Sequence, residues 1–308
     1  MQTRKIGSLD VSVVGLGCNN FGRRLDAAQT ATVIDAALDA GINFLDTADI
    51  YGGNGLSEDY MGQALAGRRD KVILATKYSK QMQDQGQGHG AHPDYIRIAV
   101  EASLRRLKTD YIDLYQQHDF DHNVPLEDTL GALNELVQAG KVREIGCSNF
   151  SAQQIRDAEA AAPEGGARFV SVQNRYSLLH REPEAEVLPE CERLNIAFLP
   201  YFPLASGLLT GKYRLGQLAP ENTRLSGNAD ALSETHLKQV EALIQFAESR
   251  GHTILELAFS WLLSRPVVAS VIAGATKPAQ IDSNVAAADW QLTDAELAEV
   301  DSILDQQS

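Results

Sequence analysis

The chain has 308 residues, of which 44% are hydrophobic, and it carries a formal net charge of −14. This length and apolar fraction suffice for one large α/β domain or two medium ones with a substantial core. The acidic balance argues against nucleic-acid binding and against binding to an anionic membrane, because both need clustered Lys and Arg.

Eight short apolar runs rich in β-branched residues predict eight β-strands. They cover residues 13–18, 42–47, 71–77, 111–117, 142–148, 169–174, 196–200 and 267–274. The runs are continuously apolar and do not alternate with polar residues. This pattern is typical of strands that are buried on both faces of a parallel sheet.

The segments between these runs predict amphipathic helices. Helices are expected over residues 26–40, 92–108 and 125–139, where apolar side chains recur at helical spacing. Ser57 and Ser151 are expected N-caps of two further helices. Thr293 and Glu296 have the spacing of a capping box and predict the start of a last helix.

Eight strand–helix repeats in this length predict an α/β fold, a closed (β/α)8 barrel in one domain over residues 1–308. Residues 4–12 are expected to form a short N-terminal β-hairpin across the floor of the barrel. An open doubly wound sheet is the alternative. The glycines after the first strand, Gly15, Gly17 and Gly22, do not have the GxGxxG spacing that such a sheet would favour.

The C-terminal ends of three consecutive predicted strands carry ionisable side chains. Strand two ends at Asp46, strand three ends at Lys77, and strand four runs into His118. In a (β/α)8 barrel these ends meet at one rim, where active sites lie. Tyr51 follows strand two closely enough to fold back among them. Singly, each residue has a structural explanation, so the functional interpretation depends on the four together.

These four side chains suit proton transfer to a carbonyl oxygen. A phenol of ordinary pKa, near ~10, is a weak acid at neutral pH, and a nearby ammonium group lowers that pKa. Asp46 would hold Lys77 in place and keep it charged. A neutral His118 can donate a hydrogen bond to the substrate oxygen. We therefore expect Tyr51 to deliver a proton to a carbonyl that accepts hydride from the other side.

The motifs "FLDTADIYG", "LATK" and "DLYQQHD", which contain Asp46, Tyr51, Lys77 and His118, resemble the tetrad motifs of the aldo-keto reductase superfamily. The segments "EASLRRLKTDYIDLYQQH", "AGKVREIGCSNF", "VQNRYSLL" and "PLASGLLTGKY" extend the resemblance over essentially the whole chain. The resemblance implies a (β/α)8 barrel that reduces aldehydes or ketones with NADP(H). It also implies that Tyr51 is the general acid.

The resemblance further implies a set of cofactor-binding residues. Ser148, Asn149 and Gln173 would hold the nicotinamide carboxamide, Tyr201 would stack on its ring, and Thr276, Lys277, Gln280 and Asn284 match, or lie within, the motif for the adenosine 2′-phosphate and adenine. Lys212 lies in the long loop after strand seven. It is a further candidate, because such barrels often bind phosphates after strands seven and eight.

The glycines that follow Tyr51 allow a second interpretation. Gly52, Gly53 and Gly55 resemble a phosphate-cradling loop at first sight, but no GxxxxGK[ST] motif occurs in the chain. With the phosphates expected after strands seven and eight, we expect these glycines to form a sharp turn before the next helix.

Two alternative functions remain open on the same fold. One is an NADP(H)-binding regulatory or sensor subunit with little turnover. The other is a metal-assisted isomerase or hydrolase. The pairs His118/His122 and His89/His92 have spacings that can ligate zinc, but they lie in or beside loops without a cysteine partner. We therefore expect no metal site.

The remaining signals concern location and substrate access. Cys18, Cys147 and Cys191 form no CxxC pair, and no signal peptide or run of about 18 apolar residues occurs. These features favour a cytoplasmic enzyme that acts on a small carbonyl substrate, with neither a nucleic-acid nor a membrane partner. Residues 79–91 and 205–234 are long rim loops and candidate substrate walls, together with the segment around Phe21 and Phe120.

Overall fold

A computed structural model describes residues 1–80, 82, 90–220, 223, 225 and 232–305. An antiparallel hairpin comes first, formed by β1 (Thr3–Ile6) and β2 (Leu9–Ser12). Eight parallel strands follow: β3 (Val14–Gly17), β4 (Phe44–Asp46), β5 (Ile73–Tyr78), β6 (Ile112–Gln117), β7 (Val142–Ser148), β8 (Phe169–Arg175), β9 (Ala197–Tyr201) and β10 (Val271–Gly274). They pair in chain order, and β10 returns to pair with β3. The predicted barrel and N-terminal hairpin are confirmed.

The seam between β9 and β10 is the irregular part of the barrel. The predicted last strand, residues 267–274, is ladder-paired only over Val271–Gly274. Before it, Val268 forms a single parallel bridge to Phe198 of β9. The chain changes its neighbour here, from β9 to β3, which shortens the strand and leaves the barrel nearly closed.

Ten helices lie within the described residues. They are α1 (Ala27–Asp39), α2 (Leu56–Ala64), α3 (Pro93–Leu107), α4 (Leu126–Gln138), α5 (Ala152–Ala161), α6 (Val187–Leu194), α7 (Glu234–Glu248), α8 (Ile254–Leu263), α9 (Pro278–Ala286) and α10 (Asp294–Asp305). Two of them, α7 and α10, are additional to the strand–helix alternation and pack against each other. None of the described helices is both long and apolar enough to cross a membrane.

Most predicted helix starts are confirmed by their capping contacts. The Ser151 side chain accepts a hydrogen bond from the backbone N–H of Gln154 and forms a complete capping box with it. The Glu296 backbone N–H donates to Thr293 Oγ1 at 3.3 Å, and Glu296 Oε2 accepts from the Thr293 backbone at 2.8 Å. Both boxes satisfy backbone donors that would otherwise be unpaired at a helix start.

The prediction that Ser57 caps α2 is wrong. The N-cap is Gly55, whose φ of +90° is the left-handed conformation that glycine adopts at no steric cost. Ser57 lies inside the first turn and is fully buried. Its hydroxyl donates to the carbonyl of Cys18 at 3.0 Å and lies 2.8 Å from Thr47 Oγ1, so it ties α2 to the barrel rim.

The hairpin closes the amino-terminal end of the barrel. Ile6, Leu9 and Val11 are buried and pack against inward-facing side chains of the strands, namely Phe44, Ala75, Leu114, Leu199, Ala269 and Ile272. Each buried aliphatic side chain of this kind contributes roughly 1.5–3 kcal/mol relative to exposure. The floor of the barrel is therefore apolar and filled, so polar chemistry is confined to the opposite end.

Candidate active site

The polar side chains of the site form the layer directly above this apolar floor. Successive side chains of a strand point to opposite faces, so residues i and i+2 share a face. Asp46 follows Phe44, Lys77 follows Ala75, and Gln116 follows Leu114 by two residues. The strand period therefore directs them all into the barrel, at its C-terminal rim.

Lys77 and Asp46 form a buried ion pair at the centre of this layer. Lys77 Nζ lies 2.7 Å from Asp46 Oδ2 and donates to the carbonyl of Thr47 at 2.8 Å. Burial disfavours the ammonium form, but the charge and the hydrogen bond of Asp46 favour it, and the pKa of Lys77 is raised. Lys77 is therefore a fixed cation below the tyrosine.

The other oxygen of Asp46 is held by two amides. Gln116 Nε2 donates to Asp46 Oδ1 at 3.2 Å, and Gln173 Nε2 donates to the same atom at 3.0 Å. Gln116 was not identified from the sequence. The signal that points to it is an amide in the middle of the buried strand β6, two residues before His118.

Tyr51 lies between Lys77 and His118. Lys77 Nζ is 5.2 Å from the centre of the Tyr51 ring, and the rings of Tyr51 and His118 meet edge to face with centroids 6.0 Å apart. Burial raises the pKa of Tyr51, while Lys77 acts in the opposite direction. Lys77 lowers the pKa of Tyr51, as expected, but the desolvation of the phenolate has a larger effect and raises it. Tyr51 therefore carries its proton.

His118 is neutral in this environment. Its backbone N–H donates to the carbonyl of Tyr78 at 2.8 Å, which places the ring at the barrel mouth. Burial, followed by the charges of Lys77 and Lys80, lowers the pKa of His118 to about 2. Nδ1 is buried and has no hydrogen-bond partner within the described part of the chain. A neutral imidazole still has one N–H to donate to a ligand.

The four residues expected at the nicotinamide lie together on the adjoining strands. Ser148 donates from its hydroxyl to the carbonyl of Gln173 at 2.7 Å, and Tyr201 donates from its hydroxyl to Asn149 Oδ1 at 2.9 Å. Asn149 has a left-handed φ of +60°, and its amide donates to the carbonyl of His118 at 3.0 Å. The set is therefore connected directly to the tetrad.

The residues expected at the adenosine end lie at the start of α9. The Thr276 backbone N–H donates to Gln280 Oε1 at 2.7 Å, and Lys277 is exposed at the N-cap position. Asn284 lies one turn further on and is buried. A helix N-terminus with exposed donors and a cation is a common anion-binding arrangement.

The loop after β9 is strained. Phe202, Ala205 and Ser206 have φ values of +52°, +46° and +58°, which residues other than glycine rarely adopt. Such strain is concentrated at functional sites, and backbone N–H groups in left-handed turns can form concave anion sites. Lys212 follows this loop, with Nζ 5.2 Å from the centre of the Tyr213 ring. Within the described residues, no hydrogen bond or ion pair joins Lys212 to residues 276–284.

The segment after Tyr51 is a tight turn, as the sequence predicts. Gly52, Gly53, Asn54 and Gly55 all have positive φ, from +57° to +90°. At Gly52 an added Cβ would lie 2.8 Å from the carbonyl oxygen of Phe21. The turn is therefore packed against the chain at Gly52, whereas Gly53 and Asn54 are exposed.

The structure describes only part of the candidate substrate walls. The Gly90 backbone N–H donates to the carbonyl of Ser79 at 2.9 Å, so the ends of the loop over residues 79–91 are joined. Residues 81 and 83–89, which include Gly86, Gly88 and His89, lie outside the described residues. Phe120 is partly buried beside His122, whereas Phe21 is fully buried in the core and does not face the mouth.

Two further observations concern alternative sites. Among the residues that the structure describes, no group of three His, Cys, Asp or Glu side chains is arranged to hold a metal ion. A cavity of about 870 Å³ lies at the amino-terminal end of the barrel, lined by residues such as Arg4, Arg168 and Cys191. No tetrad residue lines it, so this cavity is separate from the candidate active site.

Comparison with known proteins agrees with this geometry. The sequence profile described as "Aldo/keto reductase family" matches residues 13–305. The chain is 38% identical over 307 residues to the uncharacterized oxidoreductase YqkF of Bacillus subtilis (strain 168), covering 98% of this chain and 96% of that protein. It is 36% identical over 308 residues to the aldo-keto reductase YhdN of the same organism, with coverages of 96% and 91%.

Two solved structures share the fold over almost the full length. The aldo-keto reductase AKR11C1 from Bacillus halodurans, in its holo form, superposes with a TM-score of 0.82 at 33% identity, covering 98% of this chain and 96% of that one. The glycerol dehydrogenase AKR11B4 from Gluconobacter oxydans superposes with a TM-score of 0.86 at 32% identity, with coverages of 99% and 96%. The chain therefore belongs to the aldo/keto reductase family of oxidoreductases.

Proposed function

We propose that this protein reduces aldehydes or ketones to alcohols with NADPH, and that Tyr51 is the general acid. The observation that carries the proposal is the buried Lys77–Asp46 pair, 2.7 Å apart, beneath a protonated Tyr51 and beside a neutral His118. A proton donor, a cation to stabilise its anion and a neutral hydrogen-bond donor are what the reduction of a carbonyl needs from a protein.

Each residue of the tetrad has a distinct task in this proposal. His118 donates a hydrogen bond to the carbonyl oxygen and fixes it near the Tyr51 hydroxyl. Tyr51 gives its proton to that oxygen as negative charge develops there. Lys77 stabilises the phenolate that remains, and Asp46 keeps Lys77 charged and in place. Because burial disfavours the phenolate, this cation is required in the transition state more than in the resting enzyme.

The residues around the tetrad fit a nicotinamide cofactor. The hydroxyl of Ser148 and the amides of Asn149 and Gln173 match the donors and acceptors of a carboxamide, and the half-buried Tyr201 ring suits stacking. When bound, the cofactor supplies hydride to the carbonyl carbon. The aldo-keto reductase from Bacillus halodurans is known in a holo form, which supports a bound cofactor in that relative.

Exposed donors at the start of α9 support a preference for NADPH over NADH. Lys277 is exposed at the N-cap of α9 beside Thr276, where a 2′-phosphate would gain a charged hydrogen bond and the favourable end of the helix dipole. We expect tighter binding of NADPH than of NADH in fluorescence titrations. The difference should narrow in Lys277→Ala, and equal affinities in the parent protein would contradict the preference.

The decisive test of the proposed function is Tyr51→Phe, assayed by NADPH absorbance with a panel of small aldehydes and ketones. We expect turnover to fall by a hundredfold or more, while NADPH affinity is nearly unchanged, because the hydroxyl acts mainly in the transition state. Because a structural neighbour is a glycerol dehydrogenase, the panel includes glycerol with NADP⁺. A Phe variant that works at the parental rate would refute the role of Tyr51.

The same assay separates an enzyme from a regulatory subunit. A reductase consumes many equivalents of NADPH per protein molecule at a steady rate. A sensor that binds NADP(H) with little turnover would show cofactor binding by fluorescence but no steady absorbance change with any member of the panel.

A further inference from the structure

The turn that carries Tyr51 contains a second acidic residue that the proposed mechanism does not use. Asp49 is fully buried, and neither of its carboxyl oxygens has a side-chain hydrogen-bond partner within the described part of the chain, although the backbone N–H of Ile50 faces the carboxyl group. Its backbone N–H donates to the carbonyl of Lys77 at 3.2 Å, and the Tyr51 N–H donates to the carbonyl of Ala48 at 3.1 Å. Asp49 therefore lies where the turn that carries Tyr51 is fastened to β5.

The surroundings of Asp49 already contain a buried carboxylate. Glu58 of α2 is also fully buried. It accepts hydrogen bonds from Thr76 Oγ1 at 2.6 Å and from Arg106 Nε at 2.7 Å. Arg106 thus has its closest partner in Glu58. Asp49 feels the positive charge of this guanidinium, but it forms no ion pair within the described part of the chain.

Arg106 is held in place by contacts other than Asp49. Its Nε donates to Glu58, its Nη2 donates to Ser103 Oγ at 3.4 Å, and its side chain fills the space beside Gly55, where an added Cβ would lie 2.4 Å from the arginine Cδ and Nε atoms. A buried carboxylate without a partner is strongly disfavoured as the anion and takes up a proton instead.

The charged and titratable groups that face Asp49 come from four elements. They are Glu58 on α2, Arg106 on α3, Lys77 on β5 and Tyr115 on β6. Burial, with a further contribution from the charge of Glu58, raises the pKa of Asp49 to about 8, against the opposing effects of the Arg106 charge, the Ile50 backbone N–H and the Lys77 charge. At neutral pH the protonated form therefore prevails.

We propose that Asp49 is a positioning residue that works as the neutral acid, and that its ionisation displaces the turn that carries Tyr51 and lowers turnover. This inference rests on the proposed function, because Tyr51 is taken as the proton donor. A neutral carboxyl group allows the turn to pack against β5 and α2. A second buried negative charge beside Glu58 would push the turn away from both.

The test compares the parent protein with Asp49→Asn, which keeps the shape of the side chain but cannot ionise. We expect kcat of the parent to fall about tenfold between pH 7.5 and 9, and kcat of Asp49→Asn to stay level over that range. Burial raises the pKa of Tyr51 above the ordinary value of a phenol, so Tyr51 does not titrate in this pH range. Its ionisation is therefore separate from that of Asp49. Asp39→Asn, an exposed acid at the end of α1, is the matched control and should follow the parent.

A second measurement does not depend on activity. A buried acid whose folded pKa lies above its unfolded value stabilises the fold below the unfolded value, and that stability is lost as pH rises through the folded pKa. The Tm of Asp49→Asn relative to the parent should therefore increase between pH 5 and 8 and then level off, whereas Asp39→Asn shows no such trend. Should Asp49→Asn fail to fold, Asp49→Ser serves as the non-ionising variant.

The outcomes separate this inference from the proposed function. If no carbonyl compound is reduced by any variant, the proposed function fails, and a flat Tm difference then overturns the role of Asp49 as well. If the parent reduces carbonyls and Asp49→Asn loses activity over the same alkaline range, the proposed function stands and this inference is wrong.

Discussion

At the scale of single residues, Asp46 depends on contacts that lie far apart in the sequence. Its two amide donors, Gln116 and Gln173, are 70 and 127 residues away along the chain. Hydrogen bonds to a charged group contribute more than neutral ones, roughly 1.5–3 kcal/mol each. Gln116 therefore helps to orient Asp46 and, through Asp46, Lys77.

We predict that Gln116→Leu lowers kcat for carbonyl reduction by about tenfold or more, since a loss of about 1.4 kcal/mol corresponds to a factor of ten. NADPH affinity should be nearly unchanged. Gln117→Leu is the matched control, because Gln117 is equally buried on the same strand but donates to the carbonyl of Asp119. Equal losses of kcat in the two variants would show that the effect is structural.

His118 gives a prediction about acid stability. Its pKa of about 2 in the folded protein lies below the ordinary value of 6.5, so between these values the unfolded chain binds more protons. Stability is therefore lost as pH falls from about 6.5. Between pH 7 and pH 5 this one group should remove about 2 kcal/mol of the free energy of unfolding.

The measurement is urea unfolding of the parent and His118→Asn at pH 7 and pH 5. The variant lacks the titrating group, so its loss of stability on acidification should be smaller than that of the parent by the same amount. Identical losses in both proteins would contradict the buried neutral imidazole.

At the scale of elements, the contact between α2 and α3 depends on a glycine. Gly62 lies inside α2, and an added Cβ would come within 2.3 Å of the backbone carbonyl of Arg106 at the end of α3. Gly131 lies inside α4 and has nothing within 4 Å of the same position. The same substitution at these two glycines therefore separates the effect of helix packing on stability from the effect of helix propensity.

We predict opposite effects for the same substitution at these two positions. Gly131→Ala should stabilise the protein by roughly 0.5–1 kcal/mol through helix propensity. Gly62→Ala should destabilise it by roughly 2 kcal/mol, because the backbone of α3 must move to admit the methyl group. Chemical denaturation of both variants measures the difference. A stabilised Gly62→Ala would show that the helices separate easily.

At the scale of the whole molecule, Arg4 joins the hairpin to the seam of the barrel. Its guanidinium donates to the carbonyls of Leu263 at 2.7 Å, Arg265 at 3.1 Å and Val268 at 2.5 Å. These carbonyls lie at the end of α8 and just before β10, where Val268 forms an isolated bridge to Phe198 of β9. The N-terminal hairpin thus reinforces the weakest part of the strand ring.

Arg4→Met should destabilise the protein by about 2–3 kcal/mol, since three carbonyls lose a charged donor in a partly buried position. Lys5→Met provides the control. Lys5 pairs with Asp10 at 2.8 Å, but both side chains are 63% exposed, and such a pair contributes less than about 1 kcal/mol. The free energy of unfolding measures both effects. Equal losses would mean that the seam does not need Arg4.

The sequence by itself determined the barrel and predicted the four residues of the candidate site. Strands and helices have local sequence signals. These signals are apolar runs, capping boxes such as Ser151–Gln154, and the spacing of strand ends. Because parallel strand ends must share one rim, the sequence alone predicts that Asp46, Lys77 and His118 lie close together.

Only the tertiary structure decided how these residues are held and which protons they carry. Gln116 and Gln173 reach Asp46 across the barrel, and Ser57 ties α2 to the rim where a cap was predicted. The pKa of Tyr51 is raised although a cation lies nearby. The physical reason is the same throughout. Burial and contacts between distant segments depend on how the whole chain packs, and no local pattern of residues records them.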